Sequence, residues 1–206
     1  MKNRSKDSTY TLVVTGMLVA LVLILSLTGI GLIQVPFLPF KITLYVIPII
    51  IGLQTQNIYV GMTVGLFFGL SSLYNNWTAA PVAYSYLFRS PFVSVLPRLL
   101  IAPAALLPMR FCNNRKSALY ASAAVGSIAN TVFTLSAMTL MVFILKKFEL
   151  NVFFLSDIMP LIQSLDMKAH AIAIWGPSLV NAALEAVLAS MICPLITLAY
   201  DKIRNR

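Results

Sequence analysis

The stretch SLVNAALEAVLASMICPLI, residues 178–196, decides the fold class, because apart from Glu185 it has the length and apolarity of a membrane-spanning helix. Ten residues before Glu185 and fifteen after it carry no charge, so its carboxylate does not lie on a solvated helix face. An isolated charge in hydrocarbon costs at least about 2.5 kcal/mol. Glu185 is therefore a candidate functional group or one half of a buried ion pair.

The composition of the whole chain also indicates a membrane protein. Of its 206 residues, 59% are apolar and only 10% are charged, which is not typical of a soluble domain. The net charge of +9 comes from short basic clusters at the ends of apolar runs, so we interpret it as a topology signal and expect no nucleic-acid partner. Cys112 and Cys193 have no second ligand at metal spacing, and we expect neither a disulfide nor a metal site.

Six apolar runs predict an all-α integral membrane protein, a six-helix bundle that forms one transmembrane domain over residues 1–206. Lipid offers no water to unpaired backbone groups, so each run must be a helix. The predicted helices cover residues 11–33, 42–54, 58–74, 93–109, 118–145 and 171–200, and the first is a retained span rather than a signal peptide. In the third helix, Gly61, Gly65 and Gly69 at four-residue spacing predict close contact with another helix.

Basic residues orient the predicted bundle. Nine of the fifteen lie in the N-terminal segment, in the loop between the fourth and fifth helices, and in the C-terminal segment. The positive-inside rule then predicts that both termini are cytoplasmic. The connection containing Pro36 and Pro39 and the polar, aromatic segment 75–92 face outward in this topology, and we expect them to form extracellular capping loops.

Arg98 and Glu185 are the two ionisable residues predicted to lie well inside apolar helices. At about 1.5 Å per residue from the outer helix ends, their depths in the membrane overlap. One interpretation is a structural ion pair, and the others are direct contact of either residue with a substrate and a proton relay. We expect Glu185 to anchor the binding half of the bundle by pairing with Arg98 or with Asn130.

Other function classes lack their motifs in this sequence. Driven carriers usually line their path with several acidic or histidine groups, whereas one carboxylate is embedded here. The sequence has no nucleophile and base arrangement, no HExxH and no G-x-x-x-x-G-K-[ST] motif, so we expect neither an enzyme nor a nucleotide hydrolase. We expect no cofactor in this chain. A self-sufficient carrier and a purely structural assembly subunit stay open as alternatives.

Polar and aromatic residues of the predicted outer half outline an outward-opening cavity, the form of a small-molecule site. The candidate substrate-binding residues are Tyr45, Asn76, Trp77, Tyr84, Tyr86, Arg98, Asn130, His170, Trp175 and Asn181. On the first helix, Gly16 and Ala20 form a small-xxx-small pair that would let another helix approach closely.

At these residues the sequence resembles the substrate-binding S components of energy-coupling factor (ECF) vitamin transporters, and most of all the branch with pantothenate-type members. The resemblance covers most of the chain. It rests on six motifs in order: GMLVALVLILSL, ITLYVIPIIIG, GMTVGLFFGLSS, SPFVSVLPRLLI, GSIANTVFTL and NAALEAVLASMICPLI.

The resemblance implies a bundle in the bacterial plasma membrane that captures a vitamin from outside. It implies two kinds of partner, a transmembrane coupling subunit of the EcfT type and two cytoplasmic ATPases, whose ATP hydrolysis reorients the S component. Small residues of the first helix pack against the coupling subunit in this family. They correspond to Gly16, where alanine is usual, and Ala20.

The substrate is open between two kinds of vitamin. Pantothenate carries a carboxylate and hydroxyls, which suit Arg98 together with asparagine and tyrosine donors. Pyridoxine or a hydroxymethylpyrimidine is flat and neutral and would stack on Trp77, Tyr84 or Trp175. One departure bears on the choice, because the branch often has a histidine where this chain has Val46.

Overall fold

Long apolar helices account for most of the protein, which a computed structural model describes over residues 2–34, 41–78, 83–148, 152–153, 155, 159–164 and 166–204. The elements in chain order are α1 (Lys2–Thr28), β1 (Leu32–Gln34), β2 (Lys41–Thr43), α2 (Val46–Thr55), α3 (Ile58–Thr78), a 3-10 helix (Ala83–Arg89), α4 (Pro91–Ser94), α5 (Leu96–Phe111), α6 (Arg115–Phe148), α7 (Met159–Ser164) and α8 (Met167–Arg204). The expected Pro36–Pro39 cap lies outside the described residues.

Five helical stretches within the described residues are long and apolar enough to cross a membrane. They are Ser8–Thr28, Ile58–Thr78, Pro91–Phe111, Arg115–Phe148 and Ile174–Arg204. The remaining apolar helix, α2, has 10 residues and is almost entirely buried. At 1.5 Å per residue it rises only about 15 Å, half of a hydrocarbon core, so α2 does not cross a membrane by itself. The six-helix count and the orientation stay predictions.

The sequence predicted helices over residues 11–33 and 42–54, and this prediction was wrong at the end of the first helix and at the start of the second. α1 ends at Thr28, and Gly29 follows with a left-handed φ of 72°, which suits a glycine after a helix end. The chain then forms an antiparallel hairpin in which Leu32 pairs with Thr43 and Ile33 with Ile42. Short apolar runs do not distinguish strand from helix by periodicity, which is the physical reason for the error.

The predicted close contact of the third helix is confirmed, and its partner is α5. A Cβ added at Gly61 would lie 2.9 Å from the Cβ of Ala102, and one added at Gly65 would lie 2.5 Å from the carbonyl oxygen of Arg98. Both distances are below an ordinary carbon contact. The glycines therefore let α3 touch the backbone of α5 where α5 carries Arg98.

Polar side chains join four helices at the end of the bundle that holds both termini. Buried Gln54 donates to the carbonyl oxygen of Leu119 at 3.0 Å and accepts from Thr197 at 2.8 Å. Nearby, Gln56 donates to the Tyr200 hydroxyl at 2.6 Å. The hydroxyl of Thr11 in α1 donates to Oε1 of Gln56 at 3.1 Å, so the N-terminal half of α1, the α2–α3 turn, the start of α6 and the end of α8 lie together.

Candidate functional site

Two pockets of the bundle share four lining residues, so they adjoin as two lobes of one cavity. The first, which we name the Glu185 lobe, has a volume of about 480 Å³ and lies among α5, α6 and α8. The second, the Ser26 lobe, has a volume of about 440 Å³ and lies among α1, the hairpin and α3. We name the shared residues the waist: they are Thr43, Phe88, Arg98 and Asn130. Each lobe falls within the size range of small-molecule sites.

Arg98 provides the positive charge of the waist. Its side chain is 6% exposed, and its Nη1 donates to the carbonyl oxygen of Val93 at 2.7 Å. The guanidinium carbon lies 5.4 Å from the ring centre of Phe68 and 5.2 Å from that of Phe88, so aromatic faces stabilise the charge. Its Nε has no hydrogen-bond partner among the residues that the structure describes.

Glu185 provides the negative charge of its lobe and connects α8 to the hairpin. Its Oε1 accepts from the backbone N–H and the hydroxyl of Thr43, both at 2.7 Å, and from Nδ2 of Asn181 at 3.0 Å. The residue is 4% exposed. Three donors on one oxygen fix where the carboxyl group of Glu185 lies.

The expected pairing of Glu185 with Arg98 or Asn130 is not formed. Arg98 bonds to a backbone carbonyl and the carboxylate bonds to Thr43 and Asn181, and neither charge has an ion-pair partner within the described part of the chain. The hairpin brings Thr43 to the carboxylate, so hydrogen bonds replace the ion pair. Two opposite charges therefore line one cavity without neutralising each other.

Several uncharged polar side chains line the Ser26 lobe beside its apolar residues. The Ser71 hydroxyl donates to that of Ser26 at 2.9 Å, and Nδ2 of Asn75 donates to the Ser26 carbonyl oxygen at 2.9 Å. Opposite them, the rings of Tyr45 and Phe68 lie 5.2 Å apart. At the waist, Oδ1 of buried Asn130 lacks a hydrogen-bond partner in the described structure.

Five of the ten predicted substrate-binding residues line the cavity. They are Tyr45 and Asn76 in the Ser26 lobe, Arg98 and Asn130 at the waist, and Asn181 in the Glu185 lobe. The side chains of two others, Tyr84 and His170, lie outside the part of the structure that is described.

The three remaining aromatic candidates line neither lobe and instead hold neighbouring segments together. Trp77 donates to the carbonyl oxygen of Arg89 at 3.2 Å, and the Arg89 guanidinium lies 4.2 Å from the ring centre of Tyr86. Trp175 donates to the hydroxyl of Thr139 at 3.2 Å. These contacts connect α3 to the 3-10 helix and α8 to α6, which explains aromatic residues at these positions without a ligand.

Sequence reasoning missed several lining residues, chiefly Thr43, Phe68, Phe88 and Ser26. Thr43 was hidden because its segment was predicted as helix, and glycines at 29 and 31 were the available signal of a turn. Phe68 and Phe88 are apolar, and no periodicity distinguishes a phenylalanine beside a cavity from one in the core.

The predicted partner residues lie on the outer face of α1. Gly16 and Ala20 are both exposed, and a Cβ added at Gly16 would meet no atom within 4 Å. Large apolar side chains flank them, among them Leu12 at 72% and Met17 at 68% exposed. The pair thus forms a shallow groove in an apolar surface.

These features define a class, a helical membrane protein with a cavity of small-molecule size whose wall carries one arginine and one glutamate that form no ion pair within the described residues. The model of the ECF transporter substrate-specific component family matches residues 10–197, and the chain belongs to that family. A search of curated proteins found no match. The protein therefore has a substrate-binding role in an ECF transporter, is a transport subunit rather than an enzyme, and is a multi-pass cell-membrane protein.

Proposed function

We propose that the chain is a high-affinity vitamin-binding subunit of an ECF-type importer and that its substrate is pantothenate, bound in the two-lobed cavity. The observation that carries the proposal is Arg98, a buried cation with free donors at the waist. Pantothenate offers a carboxylate for this guanidinium, and its hydroxyls and amide suit the asparagine, serine and threonine side chains among the lining residues of the two lobes. The chain uses no cofactor of its own.

The departure at position 46 does not weigh against pantothenate. Val46 is 2% exposed, packs in the core with Ile49 and lines neither lobe. In this chain, position 46 therefore contributes to core packing and not to the polar groups of the cavity.

Pyridoxine or a hydroxymethylpyrimidine in the same role is the second candidate. The rings of Tyr45, Phe68 and Phe88 favour it, because they line the Ser26 lobe and offer faces on which a flat ring stacks. Against it, a neutral ring leaves the Arg98 charge without an anion. A self-sufficient secondary carrier is a further alternative, and uptake by vesicles that contain this chain alone would favour it.

The proposed transport cycle needs both faces of a six-helix, N-in and C-in bundle with its capping loops outside. The vitamin enters from outside, and an EcfT-type coupling subunit contacts the exposed groove at Gly16 and Ala20. Two cytoplasmic ATPases then supply the energy that reorients the bundle. Few embedded charges favour such a movement, since each charge moved through lipid is penalised.

Thermal unfolding of the purified chain in detergent, against a panel of vitamins, tests the proposal. A ligand at 100 times its Kd adds about 2.7 kcal/mol to the folded state. We expect stabilisation by pantothenate and not by riboflavin, biotin or thiamine. Stabilisation by pyridoxine alone would favour pyridoxine as the substrate. An unchanged unfolding temperature with every vitamin of the panel would contradict the proposal that the chain binds one of them.

A further inference from the structure

Two buried charges of opposite sign share the cavity, yet each is held by neutral groups of the protein. Arg98 and Glu185 are 6% and 4% exposed and form no ion pair with each other. Burying an ion without a counter-ion is expensive, and a cavity lined by two such groups suits a ligand that supplies partners for both. The charges thus indicate what chemical groups the ligand carries.

The Arg98 side chain has most of its hydrogen-bonding capacity unused. A guanidinium has five N–H donors, and a single one, on Nη1, is occupied by a described residue, the Val93 carbonyl. The flanking rings of Phe68 and Phe88 hold the guanidinium at the waist. A planar anion that accepts two parallel bonds fits this arrangement, and a carboxylate is the smallest such group.

The Glu185 carboxylate has one oxygen occupied and one available. All three of its hydrogen bonds go to Oε1, and Oε2 accepts none from the described residues. Because Glu185 lines the lobe, Oε2 is available to an O–H or N–H donor of the ligand. The same carboxylate repels an anion, so an acidic group of the ligand is directed toward Arg98 at the waist.

Resting on the function proposed above, we propose that the substrate is an organic acid with one acidic group and a remote O–H or N–H donor. The acid binds Arg98 at the waist, and the donor binds Oε2 of Glu185. Asn130, whose Oδ1 lacks a partner within the described structure, accepts a second donor beside the acid. Neutral analogues lack the anion, and dicarboxylic acids would bring a second anion to Glu185, so both classes bind poorly.

The test compares pantothenate with pantothenol, in which an alcohol replaces the acid, by equilibrium titration of the purified chain. A hydrogen bond to a charged group is lost with the acid, and the two bonds of a forked contact together correspond to at least about 100-fold in affinity. We expect the wild-type protein to prefer pantothenate by that ratio. We expect Arg98→Gln to reduce the preference below about fivefold, while Arg110→Gln, an exposed arginine of the same helix, leaves it unchanged.

A second variant separates the two ends of the ligand. Glu185→Gln should lower the affinity for pantothenate by about tenfold, because the ligand donor loses a charged acceptor. The variant should keep the preference for pantothenate over pantothenol, because that preference depends on Arg98 alone. If Arg98→Gln does not fold, Arg98→Lys keeps the charge without the fork and should retain the preference at lower affinity. The preference of the wild-type protein for pantothenate over pantothenol tests the proposal even if none of the variants folds.

The outcomes distinguish this inference from the function on which it rests. Equal wild-type affinity for pantothenate and pantothenol, or binding of neutral pyridoxine alone, would overturn the acid-and-donor rule and leave a vitamin-binding subunit. Loss of the preference in Glu185→Gln would overturn the assignment of the two ends. No binding of any of the three compounds or of any other vitamin in the panel would overturn both proposals.

Discussion

The hydrogen bond from the Thr43 hydroxyl to Glu185 is the side-chain link between the hairpin and α8, and Thr43→Val removes it while keeping the shape of the side chain. The bond is 2.7 Å long, and its acceptor is a carboxylate that is 4% exposed. Hydrogen bonds to charged groups contribute about 1.5–3 kcal/mol. Because Thr43 is only partly buried, we expect the lower end of that range, or about 3–6 °C in Tm for a chain of this size.

Thermal unfolding in detergent measures this loss, and two controls isolate the bond. Thr43→Ser keeps the hydroxyl and should lose little. Thr63→Val removes a hydroxyl that bonds its own helix at Tyr59, on an exposed face, and should shift the Tm by less than the Thr43 change. In a double-mutant cycle with Glu185→Gln, the two changes should couple, since they affect one contact. An unchanged Tm in Thr43→Val, or strict additivity in the cycle, would refute a stabilising role for the hydrogen bond between Thr43 and Glu185.

Three further predictions test the packing and the surfaces. Gly65→Ala should lower vitamin affinity at least about tenfold, because its Cβ would lie 2.5 Å from the Arg98 carbonyl oxygen. In the control Gly16→Ala, the added Cβ meets no atom within 4 Å, so titration should give wild-type affinity for this variant. Glu185→Gln should be expressed better than Glu185→Leu, which leaves the Thr43 donors without an acceptor, and wild-type expression and uptake in both would remove any role for the carboxylate. Gly16→Trp or Ala20→Trp should abolish uptake by the assembled transporter and keep binding to the isolated chain, and loss of binding would count against an assembly surface.

Membrane helices were predictable here because their signal is long and strongly apolar. The start of α3 at Ile58 and its contact glycines follow from a polar turn and a regular small-residue spacing. The hairpin was not predictable in the same way, since three-residue strands carry no periodic signal. Its effect on the site is large, because it brings Thr43 to a carboxylate 142 residues away in the chain.

The candidate site was predictable in its charges and not in its contacts. Arg98 and Glu185 had to be inside the bundle, since a charge in lipid is costly, and the structure puts both on the cavity wall. Whether they pair depends on which neutral donors arrive nearby, which is a property of the tertiary fold. Trp77 and Trp175 were predicted to bind substrate but instead hold neighbouring segments together. The sequence alone does not distinguish an indole that connects two segments from one that binds a ligand.

The most direct test of the central claim is isothermal titration of the purified chain, without coupling subunit or ATPases, with pantothenate. The account predicts saturable binding of one ligand per chain and binding at least about 100-fold weaker in Arg98→Gln. No heat of binding in the wild-type protein, or equal binding in the Arg98→Gln variant, would contradict it.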